Sequence, residues 1–494
     1  MPGGSGRGVT MRKSIALAAA LLLATPQVHA QGSQAEAAAV FQKLSDTEIT
    51  RRVDVAIAQV LARPEAAGLS VAVARGDRII VERGVGRADI DAGRQADAAT
   101  EFRIGSVTKQ FTAAAIMKLV ERGKLSLDDP LNKYVPDFDT GGRTVTIRQM
   151  LNHASGIPNY TNPAFIKIAG NPDLTRQDVL KLVSGKPFDF EPGTGWRYSN
   201  TNYYLLGLIV EKLGGQSYAD FLQREFFGPL GLKRTRYDDG TPAPNRARGY
   251  AYNPADGRLR EADPLNMVGP FAAGALASTA GDLLRWQIAL TSGRAVSPAS
   301  FRQMTGSTVK TGQGDAAYGF GLIVDRIGDL RRVWHNGGIN GFNSVLAWWP
   351  DLGLRTAVIS NSEGMPSEQV EQLIVAALTS DTPLQPPRTT AQPGSEAALR
   401  HMIAGIAAGN PDYSALTPPM ADLTRNQLPA LQGTLLGLGP LQSITFKGVE
   451  LNGLDRYLAQ FANGALMFSI SLDPHGKVGG VRLAPVGPPP AKAP

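Results

Sequence analysis

The chain has 494 residues, a formal net charge of +7 and no cysteine. The missing cysteine excludes disulfides, thiolate metal sites and cysteine nucleophiles, and the five histidines are too scattered to indicate a metal centre. No run of basic residues is longer than two, so we do not expect a nucleic-acid partner.

The first thirty residues have the pattern of a signal peptide. Met11-Arg12-Lys13 precedes a short apolar run at residues 14–24, and Val28-His29-Ala30 is a typical cleavage site. The apolar run is too short to span a bilayer. We therefore expect a periplasmic or secreted protein, with residues 1–30 removed and no membrane-spanning segment after cleavage.

The next part of the chain predicts a helix followed by a hairpin. Residues 35–63 are rich in alanine and charge, which indicates one N-terminal helix. Residues 68–75 and 78–84 are β-rich runs on either side of Gly76-Asp77, which predicts two paired strands.

Residues 102–120 carry the main functional indication. Gly105 permits a tight turn, and the chain is nearly continuously apolar from Phe111 onward, as in a buried helix. Ser106 lies in the first turn, and Lys109, three residues on, shares its face. Serine needs a base, and lysine can serve if burial lowers its pKa. The pattern Ser-x-x-Lys therefore supplies a nucleophile and a base.

A second Ser-x-x-Lys and a histidine receive structural interpretations. Ser307-Thr308-Val309-Lys310 is followed by Thr311-Gly312-Gln313-Gly314, which breaks any helix. His153 stands at the end of a helix that begins with a capping-box pattern at Thr146. We expect this histidine to hold neighbouring backbone in place.

Residues 318–360 predict an antiparallel sheet that also includes the N-terminal hairpin. Helix, sheet and helix in that order indicate a layered α+β (α/β) domain. The four strand-like runs are residues 318–325, 330–335, 341–349 and 354–360.

A second, small α+β domain follows a segment rich in proline, threonine and glycine. It is predicted to contain one or two helices, the first at residues 396–408, and strands at residues 441–447, 455–461, 465–472 and 477–483. The predicted organisation is a signal peptide with an upstream extension (1–30), a main domain (31–378), a linker (379–395), a small domain (396–486) and a disordered tail (487–494).

Three motifs stand in order: Ser106-x-x-Lys109, Tyr198-Ser199-Asn200 and His335-Asn336-Gly337. In this order and spacing the chain resembles the β-lactamase-related serine hydrolases, which include class C β-lactamases, serine D-peptidases, D-aminopeptidases and family VIII carboxylesterases. The resemblance covers about residues 53–364 and includes residues 151–156, which look like the family's Leu-x-His-x-Ser-Gly. It implies a β-lactamase/transpeptidase-like fold, with an antiparallel sheet flanked by helices.

The resemblance also implies roles for the first two motifs. Ser106 attacks a carbonyl and becomes acylated, and Lys109 and Tyr198 share the proton transfers. Which of the two is the formal base stays open, because a phenol and an amine in contact can titrate as a unit. Asn200 is expected to donate to the substrate's carbonyl or to Lys109.

For the third motif, the resemblance implies a wall of the substrate cleft. His335 is expected to line it and to place a substrate carboxylate or the Tyr198 hydroxyl. Asn336 and Gly337 are expected to bind substrate. The backbone N–H groups of Gly338 and Ser106 are expected to form the oxyanion hole. Water then completes the reaction without a metal or cofactor.

Two alternative matches are set aside. Tyr160-Thr161-Asn162 comes too early for the family's order. Lys310-Thr311-Gly312 lies before the predicted strand at residues 318–325, whereas the family's third motif lies on the strand after it. Histidine at the start of the third motif is more like the D-peptidases and esterases than the β-lactamases.

The expected substrate is therefore a peptide or D-amino-acid amide, with a carboxylic ester second and a β-lactam third. A catalytically silent protein that binds peptidoglycan-like peptides is the alternative from another class. The sequence does not specify the oligomeric state.

Overall fold

The structure is a computed structural model that describes residues 34–253, 256–384, 388–451 and 453–486. The predicted signal peptide and the predicted tail lie outside the described residues. The described chain forms two units with separate cores, residues 34–384 and residues 388–486. Within these ranges no helix is long and apolar enough to cross a membrane.

A nine-stranded antiparallel sheet forms the centre of the larger unit. Its strands and those of two small accessory sheets are β1 Gly68–Arg75, β2 Arg78–Asp89, β3 Arg94–Gln95, β4 Phe102–Arg103, β5 Arg236–Tyr237, β6 Tyr250–Asn253, β7 Arg258–Glu261, β8 Leu276–Ser278, β9 Val309–Lys310, β10 Ala317–Tyr318, β11 Ile323–Ile327, β12 Leu330–Ile339, β13 Phe342–Trp349 and β14 Leu354–Ser360. The order in the main sheet is β3-β2-β1-β14-β13-β12-β11-β10-β9. Leu69 pairs with Ser360, which confirms that the N-terminal hairpin joins the later strands.

Helices cover both faces of this sheet, which confirms the layered architecture. They are α1 Gln34–Lys43, α2 Asp46–Leu61, α3 Thr108–Glu121, α4 Ile147–Leu151, α5 Pro163–Ile166, α6 Arg176–Lys181, α7 Asn200–Gly214, α8 Tyr218–Leu222, α9 Phe271–Gly274, α10 Ala280–Thr291, α11 Pro298–Gly306 and α12 Ser367–Thr379. The backbone N–H of Ala280 in α10 donates to Ser70 Oγ at 3.0 Å. On the opposite face, Thr356 Oγ1 donates to Glu371 of α12 at 2.7 Å.

The N-terminal helix is divided, so the prediction of one helix over residues 35–63 was wrong. Ser45 separates α1 from α2 with an extended backbone, and its Oγ accepts the Glu48 N–H at 3.1 Å. A serine in this role satisfies a backbone donor at the start of a helix. The composition of the segment favours helix throughout, and the cap decides where the second helix begins.

The predicted strand over residues 318–325 is also divided, into β10 and β11. Gly321 lies between them with φ +67°, a conformation that L side chains rarely adopt. A Cβ at Gly321 would lie 2.6 Å from the carbonyl oxygen of Lys109. The interruption therefore lets this part of the sheet approach the start of α3.

The smaller unit is a four-stranded antiparallel sheet with two helices. Its elements are α13 Ser395–Ala407, α14 Pro418–Leu438, β15 Leu441–Val449, β16 Asp455–Phe461, β17 Gly464–Leu472 and β18 Val478–Pro485, and the sheet order is β15-β16-β17-β18. Residues 388–394, part of the predicted linker, are bonded to this unit. Arg388 and the Gln392 N–H both donate to the Asp455 carboxylate, at 2.9 and 2.7 Å.

Strand β12 packs closely against the turn that precedes α3. A Cβ at Gly337 would lie 2.1 Å from the carbonyl oxygen of Ile104 and 2.4 Å from Ser344 Oγ. At the neighbouring Gly338 the nearest atom to a Cβ would be Asn343 Oδ1, at 3.9 Å. Packing therefore requires glycine at position 337 but leaves room for a methyl group at position 338.

This difference predicts unequal effects of alanine at the two positions. Gly337→Ala should destabilise the larger unit by about 1–3 kcal/mol, because the added methyl group overpacks a backbone contact. Gly338→Ala should change stability by less than about 1 kcal/mol. Urea unfolding followed by tryptophan fluorescence tests this, since all five tryptophans belong to the larger unit. Equal stabilities for the two variants would contradict the packing argument.

Candidate active site

Ser106 lies in a 3-10 turn, Gly105–Val107, that runs directly into α3. Gly105 has φ +48°, and a Cβ there would lie 2.9 Å from the carbonyl oxygen of Gly338. Lys109 is in the first turn of α3, which is buried over most of its length. The predicted glycine turn and buried helix are confirmed.

The amine of Lys109 is fully buried and has three hydrogen-bond partners. Its Nζ lies 3.0 Å from Ser106 Oγ, 2.7 Å from Asn200 Oδ1 and 2.8 Å from the carbonyl oxygen of Ala273. Burial lowers the pKa of Lys109 well below its ordinary value. The fold thus favours a neutral amine at the position where a base is needed.

The three partners of Lys109 are not equivalent. The Asn200 amide oxygen and the Ala273 carbonyl can only accept, so they take two N–H groups in either protonation state. A neutral amine then has its lone pair left for the remaining partner. That partner is Ser106, whose hydroxyl can donate. The arrangement can therefore remove the proton from Ser106.

The carbonyl of Ala273 is presented by the short helix α9. Phe271, at its start, has φ +36°, which is unusual for a residue other than glycine. The carbonyl of Ala272 accepts from Thr112 Oγ1 at 2.7 Å, and that of Ala273 accepts from Lys109 at 2.8 Å. The strained turn thus aims two successive carbonyls at α3.

Asn200 is the first residue of α7, and its orientation is set by a neighbouring loop. Its Nδ2 donates to Thr161 Oγ1 at 3.2 Å, and its backbone N–H donates to Asn159 Oδ1 at 3.1 Å. This leaves Oδ1 to accept from Lys109. Asn200 therefore contacts Lys109, as expected, but as an acceptor.

Tyr198 lies just before α7, with its ring centroid 4.9 Å from Lys109 Nζ. Burial raises the pKa of Tyr198 above its ordinary value, and a hydrogen bond with Ser106 lowers it by a smaller amount. The phenol therefore stays protonated near neutral pH. Because it contacts Ser106, it is placed to give a proton to the group that leaves the substrate carbonyl.

His153 fixes the backbone on both sides of Tyr198. Its carbonyl accepts the Arg197 N–H at 3.1 Å, and its Nδ1 accepts the Ser199 N–H at 3.3 Å. The ring is fully buried and lies 4.4 Å, centroid to centroid, from the Tyr198 ring. The structural role predicted for this histidine is confirmed.

His335 is buried behind the site rather than exposed on its wall. Its Nδ1 lies 2.5 Å from the Asn336 carbonyl, which can only accept, so Nδ1 carries the proton. Its Nε2 then accepts from the Tyr318 hydroxyl at 2.7 Å. Burial lowers the pKa of His335 to about 3, with a smaller lowering from Lys109. Tyr318 occupies this nitrogen, and the His335 ring lies 6.3 Å, centroid to centroid, from the Tyr198 ring. The expected contact of His335 with a substrate carboxylate or the Tyr198 hydroxyl stays a prediction.

Asn336 points to the opposite face of the sheet, where it donates to Glu368 of α12. Asn336 is not among the residues that line the cavity, and its expected role in substrate binding stays a prediction. The two-residue period of a strand turns Asn336 away when His335 faces inward. Gly337 packs on Ile104 and does not line the cavity, whereas Gly338 does.

A cavity of about 130 Å³ opens beside Ser106. Ser106, Asn200 and Gly338 come together in its wall, as the sequence predicts. Tyr160 and Thr161 of the rejected Tyr-x-Asn match also line it, and Lys310 lies on β9, at the edge of the main sheet. The lining residues are Gly105, Ser106, Tyr160, Thr161, Phe165, Asn200, Leu265, Pro270, Ala273, Gly274, Gly338, Ile339 and Asn340.

Sequence reasoning missed two residues of this site, Thr161 and Tyr318. Neither belongs to the three motifs, and each acts on a motif residue that is distant in the chain. Tyr318 precedes the glycine turn at Gly321, which was the one available signal. Across the described ranges, no three metal-binding side chains come together.

The neutral state of His335 predicts a pH-dependent stability. Unfolding returns its pKa from about 3 towards 6.5, so the unfolded state binds more protons between these values. Stability therefore falls as pH is lowered through this window, by up to about 1.4 kcal/mol per pH unit. Urea midpoints between pH 7 and pH 5 should fall more steeply for the wild type than for His335→Gln. Parallel slopes would contradict a neutral His335.

The comparison with known proteins agrees with this geometry. Residues 53–380 match the Beta-lactamase family model. Penicillin-binding protein 4* of Bacillus subtilis (strain 168) is 32% identical over 323 residues, which cover 62% of this chain and 70% of that protein.

Two solved structures are similar. D-amino acid amidase from Ochrobactrum anthropi SV3, complexed with L-phenylalanine amide, has a TM-score of 0.59 and 27% identity over 67% of this chain and 97% of that one. The octameric penicillin-binding protein homologue from Pyrococcus abyssi has a TM-score of 0.62, and the match covers 87% of this chain and 94% of that one. At 24% identity this similarity supports the fold alone. With its family match covering well over half of the sequence, this chain belongs to the β-lactamase family and is a serine hydrolase.

Proposed function

We propose that this protein cleaves an amide bond of a peptide or a D-amino-acid amide through an acyl-serine intermediate. The observation that carries the proposal is the buried Lys109 amine 3.0 Å from Ser106 Oγ, with its other two partners restricted to accepting. The similarity to a D-amino acid amidase supports the choice of an amide.

Acylation begins with neutral Lys109. It takes the Ser106 proton as Oγ attacks the substrate carbonyl, and the resulting oxyanion is held by the N–H groups of Ser106 and Gly338. Tyr198 gives its proton to the leaving nitrogen as the C–N bond breaks. Lys109 then returns a proton to the Tyr198 oxygen. Both groups regain their starting states, and the acyl group stays on Ser106.

Deacylation uses water in place of the serine hydroxyl. Water attacks the acyl carbonyl, and its proton passes to Lys109. The Ser106 oxygen leaves and takes a proton from Tyr198, which Lys109 then restores. No step requires a group beyond these side chains, two backbone donors and water.

A carboxylic ester is the second candidate substrate. It is favoured by the lining of the cavity, where none of the described residues is charged. A β-lactam is third, because His335 replaces the lysine usual in β-lactamases and is only 1% exposed. A silent binding protein has no need of a desolvated amine in contact with a serine hydroxyl.

Export is part of the proposal. It is supported by the basic residues and short apolar run at residues 11–24 and by the small residues of Val28-His29-Ala30. Cell fractionation of the full chain, with mass determination of the mature N-terminus, tests it. A product in the cytoplasm with these residues still attached would contradict it.

Replacing the nucleophile tests the proposed reaction. Ser106→Ala should lower kcat for a D-amino-acid p-nitroanilide by at least about 1,000-fold, because the acyl-serine can no longer form. Ser307→Ala, in the second Ser-x-x-Lys, is the matched control and should keep wild-type activity.

The same assay should include a p-nitrophenyl ester, an acyl-D-Ala-D-Ala peptide and nitrocefin. Residual activity of Ser106→Ala within tenfold of wild type would contradict the nucleophile. Cleavage of the ester without either amide would replace the proposed amidase by a carboxylesterase.

Replacing the base gives an independent test. Lys109→Arg keeps a positive charge but cannot lose its proton, so kcat should fall at least about 100-fold. Lys118 lies on the same helix and is partly exposed, so Lys118→Arg is the matched control and should leave kcat unchanged. Steady-state kinetics on the preferred substrate measures both. An active Lys109→Arg variant would transfer the role of base to Tyr198.

A further inference from the structure

The cavity beside Ser106 has no charged residue among the described residues that line it. Its polar groups are the serine itself, two asparagines, a threonine and a tyrosine. The Tyr160 hydroxyl donates to the Gly269 carbonyl at 2.7 Å, and the Asn200 amide is held by Lys109 and Thr161. Tyr160, Asn200 and Thr161 are therefore already engaged within the protein.

The apolar side of the cavity is formed by Phe165, Leu265 and Ile339. Phe165 packs edge-on against Tyr160, with ring centroids 5.1 Å apart. A Cβ at Gly269 would lie 2.7 Å from Phe165, so the two loops meet closely. This wall is shaped by packing before any substrate arrives.

Hydrogen bonds join the same two loops. The Asn266 N–H donates to the Ala169 carbonyl at 2.8 Å, and Asn266 Nδ2 donates to the carbonyls of Asn171 and Pro172 at 2.9 and 3.0 Å. On the other side, Asn340 Nδ2 donates to the Asp263 carbonyl at 3.1 Å. The loop that carries Leu265 is thus tied at both ends.

Size and charge both restrict what can enter. The volume of about 130 Å³ is close to the roughly 150 Å³ of an apolar cavity that binds benzene. An ammonium or carboxylate placed here loses hydration and meets no group of opposite charge among the described residues that line the cavity. The Lys109 amine offers no free donor to a carboxylate, because all three of its contacts are made inside the protein.

We propose that this cavity selects a neutral, apolar acyl group of about the size of a benzyl group, and that Leu265 determines this preference. The inference rests on the proposed function only in taking Ser106 as the nucleophile. It narrows the substrates to acyl groups without a free amine or carboxylate in the cavity. Peptides with a blocked amine and esters of apolar acids fit, whereas a free D-amino-acid amide fits less well.

Two boronic acids that differ by one amine test the selectivity without depending on a leaving group. They are 2-phenylethylboronic acid and (1-amino-2-phenylethyl)boronic acid. Ser106 Oγ donates an electron pair to boron, its proton passes to Lys109, and no bond to a leaving group breaks. Each inhibition constant is obtained from the slowing of fluorophosphonate labelling of Ser106. The neutral compound should bind at least tenfold more tightly.

A pair of isosteric variants tests the role of Leu265, which is only partly buried. Leu265→Asp adds a carboxylate to the cavity wall, and Leu265→Asn adds a neutral group of the same shape. The amine compound should bind at least tenfold more tightly to the first variant than to the second. Ile166→Asp, at a side chain 72% exposed next to Phe165, is the control for long-range charge and should bind like the wild type.

The outcomes separate the two proposals. A preference for the neutral compound of less than tenfold in the wild type overturns the inference and leaves the serine hydrolase intact. Equal binding of the amine compound by Leu265→Asp and Leu265→Asn removes Leu265 as the determinant. Failure of both compounds to slow the labelling overturns this inference alone, whereas failure of the fluorophosphonate to label Ser106 removes the nucleophile and with it both the proposed function and this inference. Tryptophan fluorescence confirms that each variant is folded.

Discussion

The desolvated amine of Lys109 is the interaction on which the rest of the site depends. Water is excluded from it, so burial lowers its pKa and makes the neutral form accessible. Asn200 and Ala273 then occupy two of its N–H groups, and Ser106 faces the position left over. Thr161 accepts from the Asn200 side-chain amide and so orients its oxygen towards Lys109. If Lys109 were exposed and permanently charged, its amine would have no lone pair to accept the Ser106 proton.

A second constraint is the close approach of backbone to backbone around the nucleophile. Gly105 and Gly337 leave no room for a Cβ between the turn and β12, and Gly321 brings the end of β10 onto the first turn of α3. Ser106 is thereby held between a sheet and a helix rather than on a free loop. The same contact sets Gly338 in the cavity wall beside Ser106, where an oxyanion donor is expected.

The site combines a polar reaction centre with an uncharged cavity for the acyl group. The proposed proton transfers involve Ser106, Lys109 and Tyr198, with Lys109 Nζ 3.0 Å from Ser106 Oγ and 4.9 Å from the centroid of the Tyr198 ring. The surrounding wall of Phe165, Leu265 and Ile339 contributes shape without charge. This division lets the protein exclude water from the amine while still accepting an organic group. Burial lowers the pKa of His335 to about 3, so this histidine stays neutral near pH 7.

The sequence by itself determined the family, the larger sheet and the first two motifs, because these depend on local patterns. Ser-x-x-Lys on one helical turn and Tyr-x-Asn at the start of α7 carry their geometry within a few residues. Tertiary structure alone decided the directions of His335 and Asn336, since a strand turns alternate residues to opposite faces and only the completed sheet shows which face holds the site. It also decided the roles of Thr161 and Tyr318, because their partners lie far away in the chain and meet them only when the layers pack together.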